Sequence, residues 1–297
     1  MVDASSRVLV VGAAGRYAGL VVPLLAERGV SVRGLVRSAE QGNKVIARGA
    51  AEYVIGDLRD VVSIKAALHD VDGVFYIAPV YPNDESQIIG QSLVEEAARA
   101  GVRRFVFSSV IHPIIRALDN HIQKVPVEEA VIGSGMEFTI LRPSHFFQNI
   151  EKRWPSILAT RVFAEPFSTT KRLSYVDYRD VAEVGAIALT DDRLRDGTFD
   201  LCGTLGLDRG EVVAIMSEVL QYSIKAEQVD PSQWFARLGL PDDSYVKGAL
   251  GRMYDYYDKH GLVGNPLALR TILGREPRSM NQFFRELLDG TPTIAHP

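Results

Sequence analysis

The chain predicts an α/β fold, a Rossmann-like doubly wound parallel sheet with a small, mostly helical substrate cap toward its carboxyl end. Three observations carry this. Short β-branched runs alternate with helical patterns through the first half of the chain. Those runs are apolar enough to be buried on both faces, and the first ends in a glycine turn that opens a helix. Such a sheet binds its ligands at the carboxyl ends of its strands.

The first strand is Val8-Leu-Val-Val11. Gly12-x-x-Gly15-x-x-Ala18, followed by Gly19, then turns the chain into a helix over 19–28. Gly12 lets the chain leave the strand, Gly15 lets backbone approach a phosphate, and Ala18 or Gly19 lets helix and sheet pack closely. Free N–H groups at such a helix start hold a pyrophosphate, which makes Gly12, Ala14, Gly15, Arg16 and Tyr17 candidate cofactor contacts. The spacing is not G-x-G-x-x-G, and a bare glycine triplet also fits an ordinary tight turn; the flanking strand and helix favour a dinucleotide. The second strand, over 30–36, ends at Arg37-Ser38, where NAD sites carry an acid for the ribose 2′-hydroxyl. Arg37 suits a 2′-phosphate instead, and Arg16 can grip the same group from the other side, so NADP(H) is the expected cofactor. A solvated strand-end charge is the plain alternative for Arg37.

Further strands are expected over 51–55, 71–78, 103–108 and 136–141, with helical patterns at 61–69, 85–100 and 120–134 between them. Ala78 and Pro79 end the fourth strand, where small residues admit a cofactor. After Arg142-Pro143 the rhythm loosens. A helix over 178–190, with Asp177 as its N-cap, and a strand over 197–201 can still belong to the sheet. A helix over 208–220, an aromatic segment through Trp234, Tyr245, Tyr254, Tyr256 and Tyr257, and a last helix over 280–288 read as the cap. Residues 1–150 would form the NADP-binding core, and 151–297 the remaining sheet elements interleaved with the cap.

Composition excludes several classes. At 297 residues, 46% hydrophobic and 24% charged, the chain is an ordinary globular protein. Its formal net charge of −4 offers no broad basic surface, so no nucleic-acid partner is expected. The single Cys202 forbids an intramolecular disulfide, and the six histidines fall at no metal-ligand spacing, so no metal is expected. No apolar stretch reaches membrane-spanning length and the amino end is unlike a signal peptide, which makes the cytoplasm the expected compartment. No G-x-S-x-G nucleophile elbow occurs.

Taken together these residues resemble the NmrA-like family, atypical members of the short-chain dehydrogenase/reductase superfamily. The resemblance rests on the loop Gly12–Ala18, Gly56-Asp57-Leu58, the stretch Phe105–Pro113, Asn120-His-Ile-Gln-Lys124, Leu141-Arg-Pro-Ser144 and the tail Leu273–Phe283. It implies a Rossmann fold binding NADP(H), with a substrate cleft between sheet and cap. It also implies either an NADPH-dependent reductase or a nucleotide-sensing regulator with little turnover. By the same resemblance Asp57 and Leu58 contact adenine, Pro143 and Ser144 flank the nicotinamide carboxamide, and Lys124 bonds the nicotinamide ribose.

Standard short-chain reductases place a tyrosine four residues before that lysine, on the same helix face. Here Asn120 holds the position; it has no tunable proton but can bond a carbonyl. His121 is then either a proton donor or a capping or core histidine, since imidazole titrates near neutrality. Ser109 and His112 follow the fifth strand: Ser109 could polarise a carbonyl or bond local backbone, and His112 beside Pro113 could be loop structure. His145, Phe146 and Phe147 could wall a substrate pocket, or be core. Trp154, Phe163, Trp234 and Tyr254 suggest an apolar or aromatic substrate. The leading expectation is a reductase passing hydride to a small carbonyl, quinone, imine or activated alkene, the proton coming from solvent if the acceptor is a quinone. A redox sensor that docks on a protein partner, and an isomerase or lyase on the same fold, are the alternatives. A homodimer is compatible with the chain, which does not encode its oligomeric state.

Overall fold

The computed structural model describes residues 6–78, 85–238, 241 and 244–290. β1 (Arg7–Val11) passes through the glycine loop and a single 3-10 turn into α1 (Val21–Ala26). This helix is shorter than the 19–28 expected, because Gly29 adopts φ +76° and its N–H closes on Ala26 O at 2.9 Å. β2 (Ser31–Val36), α2 (Ala39–Ala47), β3 (Glu52–Ile55), α3 (Val61–Leu68), β4 (Gly73–Ile77), α4 (Glu85–Arg99) and β5 (Arg104–Ser108) follow. α2 was not expected. Gly42 lowers its propensity, yet a Cβ there would lie 2.6 Å from the Tyr53 ring, so glycine lets the helix sit on β3. The pattern over 120–134 divides into α5 (Asp119–Ile122) and α6 (Val125–Gly133), because Pro126 has no N–H to continue the ladder. β6 (Glu137–Pro143) completes this half.

The second half holds β7 (His145–Phe146), α7 (Gln148–Glu151), α8 (Trp154–Thr160), β8 (Val162–Glu165), β9 (Tyr175–Val176) and α9 (Tyr178–Thr190). Asp177 caps α9, accepting from Arg179 N at 2.9 Å. β10 (Gly197–Leu201), α10 (Arg209–Leu220), β11 (Lys225–Gln228), α11 (Pro231–Leu238), α12 (Tyr245–His260), α13 (Leu267–Leu273) and α14 (Met280–Leu288) end it.

Seven parallel strands form one sheet in the order β10-β6-β5-β4-β1-β2-β3. Val8 and Val10 face one apolar layer and Leu9 and Val11 the other, all buried, which is why the run lacks polar alternation. β1 has β2 on one side and β4 on the other, so the connections leave in opposite directions and a crevice opens at the ends of these strands. A third apolar cluster builds the cap, with α8, α10, α12 and α14 around the parallel pair of β8 and β11. Trp154 stacks on Phe284 at 5.5 Å, and Trp154, Phe163, Trp234 and Tyr254 are all buried in that cluster. These aromatics are core, so they carry no information about the substrate. The tail is held by charge: fully buried Asp180 accepts from Arg275 Nη2 at 2.9 Å and Arg278 N at 2.7 Å. Leu273–Phe283 is thereby fastened to the start of α9.

Candidate functional site

A cleft of about 760 Å³ runs along the carboxyl ends of β2, β1, β4 and β5. The glycine loop forms its floor. Gly12 takes φ +73°, and Gly15 N donates to Gly12 O at 2.8 Å to close the turn. A Cβ on Gly15 would stand 2.9 Å from Gly12 O, and one on Gly19 would stand 2.7 Å from Ala13 O. The loop is therefore as tight as its backbone allows. Arg48, just past α2, buttresses it by donating from Nη1 to Ala13 O at 2.7 Å and Gly15 O at 3.2 Å. With those carbonyls held, the loop has N–H groups left to offer an anion.

Gly12, Ala14, Gly15, Arg16, Tyr17 and Ala18 line this end, and Arg37, Gln41 and Lys44 line the end of β2. Arg37 is exposed, and among the described residues no carboxylate pairs with it. Its N–H donates to Gln41 Oε1 at 2.9 Å, and Lys44 Nζ lies 3.1 Å from Glu40. Asp57 and Leu58 follow β3, with Asp57 Oδ1 accepting from Arg59 N at 2.9 Å. Ala78 lines the cleft after β4; Pro79 lies outside the described residues. At the far end stand Ser108, Ser109, Val110, Asn120, Lys124 and Phe146.

Several expected contacts are placed differently. Arg16 pairs with Glu151 and donates to Gln148 O at 3.1 Å, so its guanidinium is turned to α7 and not to a group beside Arg37. Ser38 caps α2, its hydroxyl accepting from Gln41 N at 3.3 Å, and does not line the cleft. Pro143 and Ser144 are buried beside β10, where Ser144 N donates to Leu201 O at 3.0 Å; neither reaches the cleft. His121 is buried, its Nδ1 3.4 Å from His112 O, and burial lowers its pKa to about 4. It is neutral at physiological pH and off the cleft, which removes it as a proton donor.

His112 takes φ +50° and bonds the Val263 carbonyl through Nε2 at 2.7 Å, fastening its loop to the cap. His145 faces Asn149 at 3.3 Å and the edge of Tyr175; burial, with Arg153 nearby, lowers its pKa to about 4. Phe147 is core, packed on Phe283 at 5.4 Å. Of the three proposed wall residues only Phe146 lines the cleft, between Tyr17 and Tyr178 at 4.9 and 4.8 Å.

Lys124 is partly buried at the break between α5 and α6, and among the described residues no carboxylate pairs with it. Desolvation lowers its pKa to about 8. Ser109, expected either to polarise a carbonyl or to bond local backbone, has a side-chain partner instead. Its hydroxyl donates to Glu128 Oε1 at 2.6 Å, and Glu128 is itself held by Arg142 Nε at 3.0 Å and Nη2 at 2.5 Å. Ser108 Oγ meets the buried Tyr178 hydroxyl at 2.9 Å. Gln41, Lys44, Arg48, Glu128 and Tyr178 were not anticipated.

Comparison with known proteins identifies the family and the fold. A profile described as the NmrA-like family matches residues 4–287. An NAD(P)H azoreductase of Xenophilus azovorans is 30% identical over 285 residues, covering 93% of this chain and 96% of that protein. The triphenylmethane reductase of Citrobacter sp., crystallised with NADP(H), superposes with a TM-score of 0.83 at 18% identity, over 95% of this chain and 99% of that one. NmrA itself, a negative transcriptional regulator solved with NADP, superposes at 0.77 and 18% identity over 97% and 96%. The strand order, the glycine loop at the switch of the sheet and the extent of the profile match agree: the chain belongs to the NmrA-like family.

Proposed function

We propose that the protein is an NADPH-dependent reductase acting on a small apolar or aromatic quinone, imine, azo compound, carbonyl or activated alkene. One observation carries this reading. A single cleft joins Arg37, which has no carboxylate partner among the described residues, the glycine loop and the half-buried ammonium of Lys124, in the order that the parts of a phosphorylated dinucleotide demand. The residues fit such a group: the loop has no room for Cβ atoms at Gly15 or Gly19, and among the described residues no carboxylate pairs with Arg37 or Lys124. Arg37 and Lys44 would hold a 2′-phosphate, Asp57 and Leu58 the adenine, Gly12–Tyr17 the pyrophosphate and Lys124 the ribose hydroxyls. The bound nicotinamide supplies hydride. Asn120 bonds the acceptor, and the open cleft admits water as the proton source. The azoreductase relative supports an oxidoreductase.

A regulator without turnover is the second reading, favoured by the absence of a titratable proton donor at Asn120 and by the likeness to NmrA. Loss of reduced-nicotinamide absorbance against a panel of quinones, azo dyes and imines separates the two. Turnover supports the reductase; tight NADPH binding with no oxidation across the panel supports the regulator.

Two expectations follow from the loop and the lysine. Arg48→Met frees two loop carbonyls and should weaken NADPH about tenfold, roughly one charged hydrogen bond, with the NADPH-to-NADH ratio unchanged. A shifted ratio in calorimetry would place Arg48 on the 2′-phosphate instead. Lys124 is charged below about pH 8 and neutral above it. A site that needs the ammonium keeps its full NADPH affinity below that pH and loses it as pH rises. Titrations in which Lys124→Arg shows the same decline would assign it to another group.

A further inference from the structure

We infer that Ser109 presents only acceptor lone pairs to the cleft, and that it therefore pairs with an N–H or O–H donor on the bound ligand. A serine hydroxyl has one proton and two lone pairs. The proton of Ser109 is given to Glu128 Oε1 at 2.6 Å. Glu128 accepts on both oxygens from the guanidinium of Arg142, a bidentate pairing that leaves the Ser109 hydroxyl as a further donor to Oε1. Both groups are buried, at 7% and 5% exposure, so water does not readily supply a substitute partner. The Ser109 N–H is also committed, to Leu141 O at 2.7 Å. A carbonyl oxygen or developing oxyanion set against Ser109 would meet lone pairs. Negative charge in the ligand is directed instead to Lys124 and to the Asn120 amide at this end of the cleft, where the Ser108 hydroxyl is bonded to that of Tyr178 at 2.9 Å.

Glu128 is thus a positioning residue: it fixes the polarity of Ser109 without facing the ligand. The inference rests on the reductase reading above and adds the chemical character of the group recognised. That donor has two sources in such a complex, the carboxamide of the cofactor or an amino or hydroxyl group beside the reducible bond of the acceptor.

The test uses two matched pairs and two variants of the full chain. The first pair is NADPH and its acetylpyridine analogue, in which a methyl ketone replaces the carboxamide and removes the donor; dissociation constants are compared. The second is an aminonaphthoquinone and its N,N-dimethyl counterpart, compared by kcat/KM. Wild type should favour the donor-bearing member of one pair by about tenfold, and the pair that responds names the source. Ser109→Ala, which leaves the Glu128–Arg142 ion pair intact, should bring that preference close to one. Glu128→Gln should lower or invert it: Arg142 retains the amide oxygen, the amide N–H₂ faces Ser109, and the serine proton turns to the cleft. A merely structural role for Glu128 would lower both members of a pair alike. NADPH binding with no donor preference in either pair, or a preference unchanged by Ser109→Ala, overturns the inference. Absence of any nucleotide binding overturns the reductase reading and this inference with it.

Discussion

Replacing Lys124 with alanine should raise the NADPH dissociation constant about 10- to 150-fold and reduce turnover below detection, while the protein stays folded. Loss of a charged hydrogen-bond donor costs about 1.5–3 kcal/mol, which gives that range. The fold survives because the ammonium is not a stabilising charge here. Burial pulls its pKa down to about 8, so the folded chain holds the proton more weakly than an unfolded one, whose lysine titrates near 10.5. The sign is therefore definite. The cost of charging Lys124 is fully present below pH 8 and is relieved as pH rises toward the unfolded value. Thermal unfolding at neutral pH should show Lys124→Ala at least as stable as wild type. A variant that melts early would show the lysine to be structural, and one with unaltered NADPH affinity and rate would remove it from the site.

How the lysine comes to be there also shows how far the residues could be read in advance. β1 to β6 and their parallel sheet followed from runs such as Val8–Val11, whose two faces enter two different cores and so carry no polar alternation. Local signals of that kind survive folding. The kink that sets Lys124 at a helix start was missed, although Pro126 announced it, because the Asn120–Lys124 spacing invites reading one continuous helix. α2 was hidden by Gly42, whose purpose depends on Tyr53 eleven residues later. The histidines, each open to a site or a structural reading, were left undecided for a different reason. His112 and His145 follow strands that end at the cleft and His121 lies in α5, yet each side chain turns to a backbone or side-chain partner. Side-chain direction beyond a strand end is decided by partners far along the chain, such as Val263 for His112. Arg16 is the same case: its place in the loop was legible, whereas Glu151, its partner, was not.

The second large effect concerns the choice of coenzyme. Arg37→Ala should lower the ratio of NADPH to NADH affinity by about 10- to 150-fold, with the NADH constant nearly unchanged, because a guanidinium–phosphate contact contributes on the order of 1.5–3 kcal/mol. Arg37 can deliver this because it stands exposed at the end of β2 with no carboxylate partner among the described residues, so none must be displaced first. Lys44 lines the same corner but lies 3.1 Å from Glu40, an exposed i,i+4 pair worth only a few tenths of a kcal/mol. Lys44→Ala should therefore cost less than Arg37→Ala, and the double variant more than either. Salt offers an independent check. The wild-type preference should shrink as ionic strength rises, since both cations are exposed, and Arg37→Ala should flatten that dependence. Equal ratios for wild type and Arg37→Ala at low salt would show that the end of β2 does not read the phosphate. The 2′-phosphate would then have to be sought among the other cations of the cleft, Arg16 first, released from Glu151.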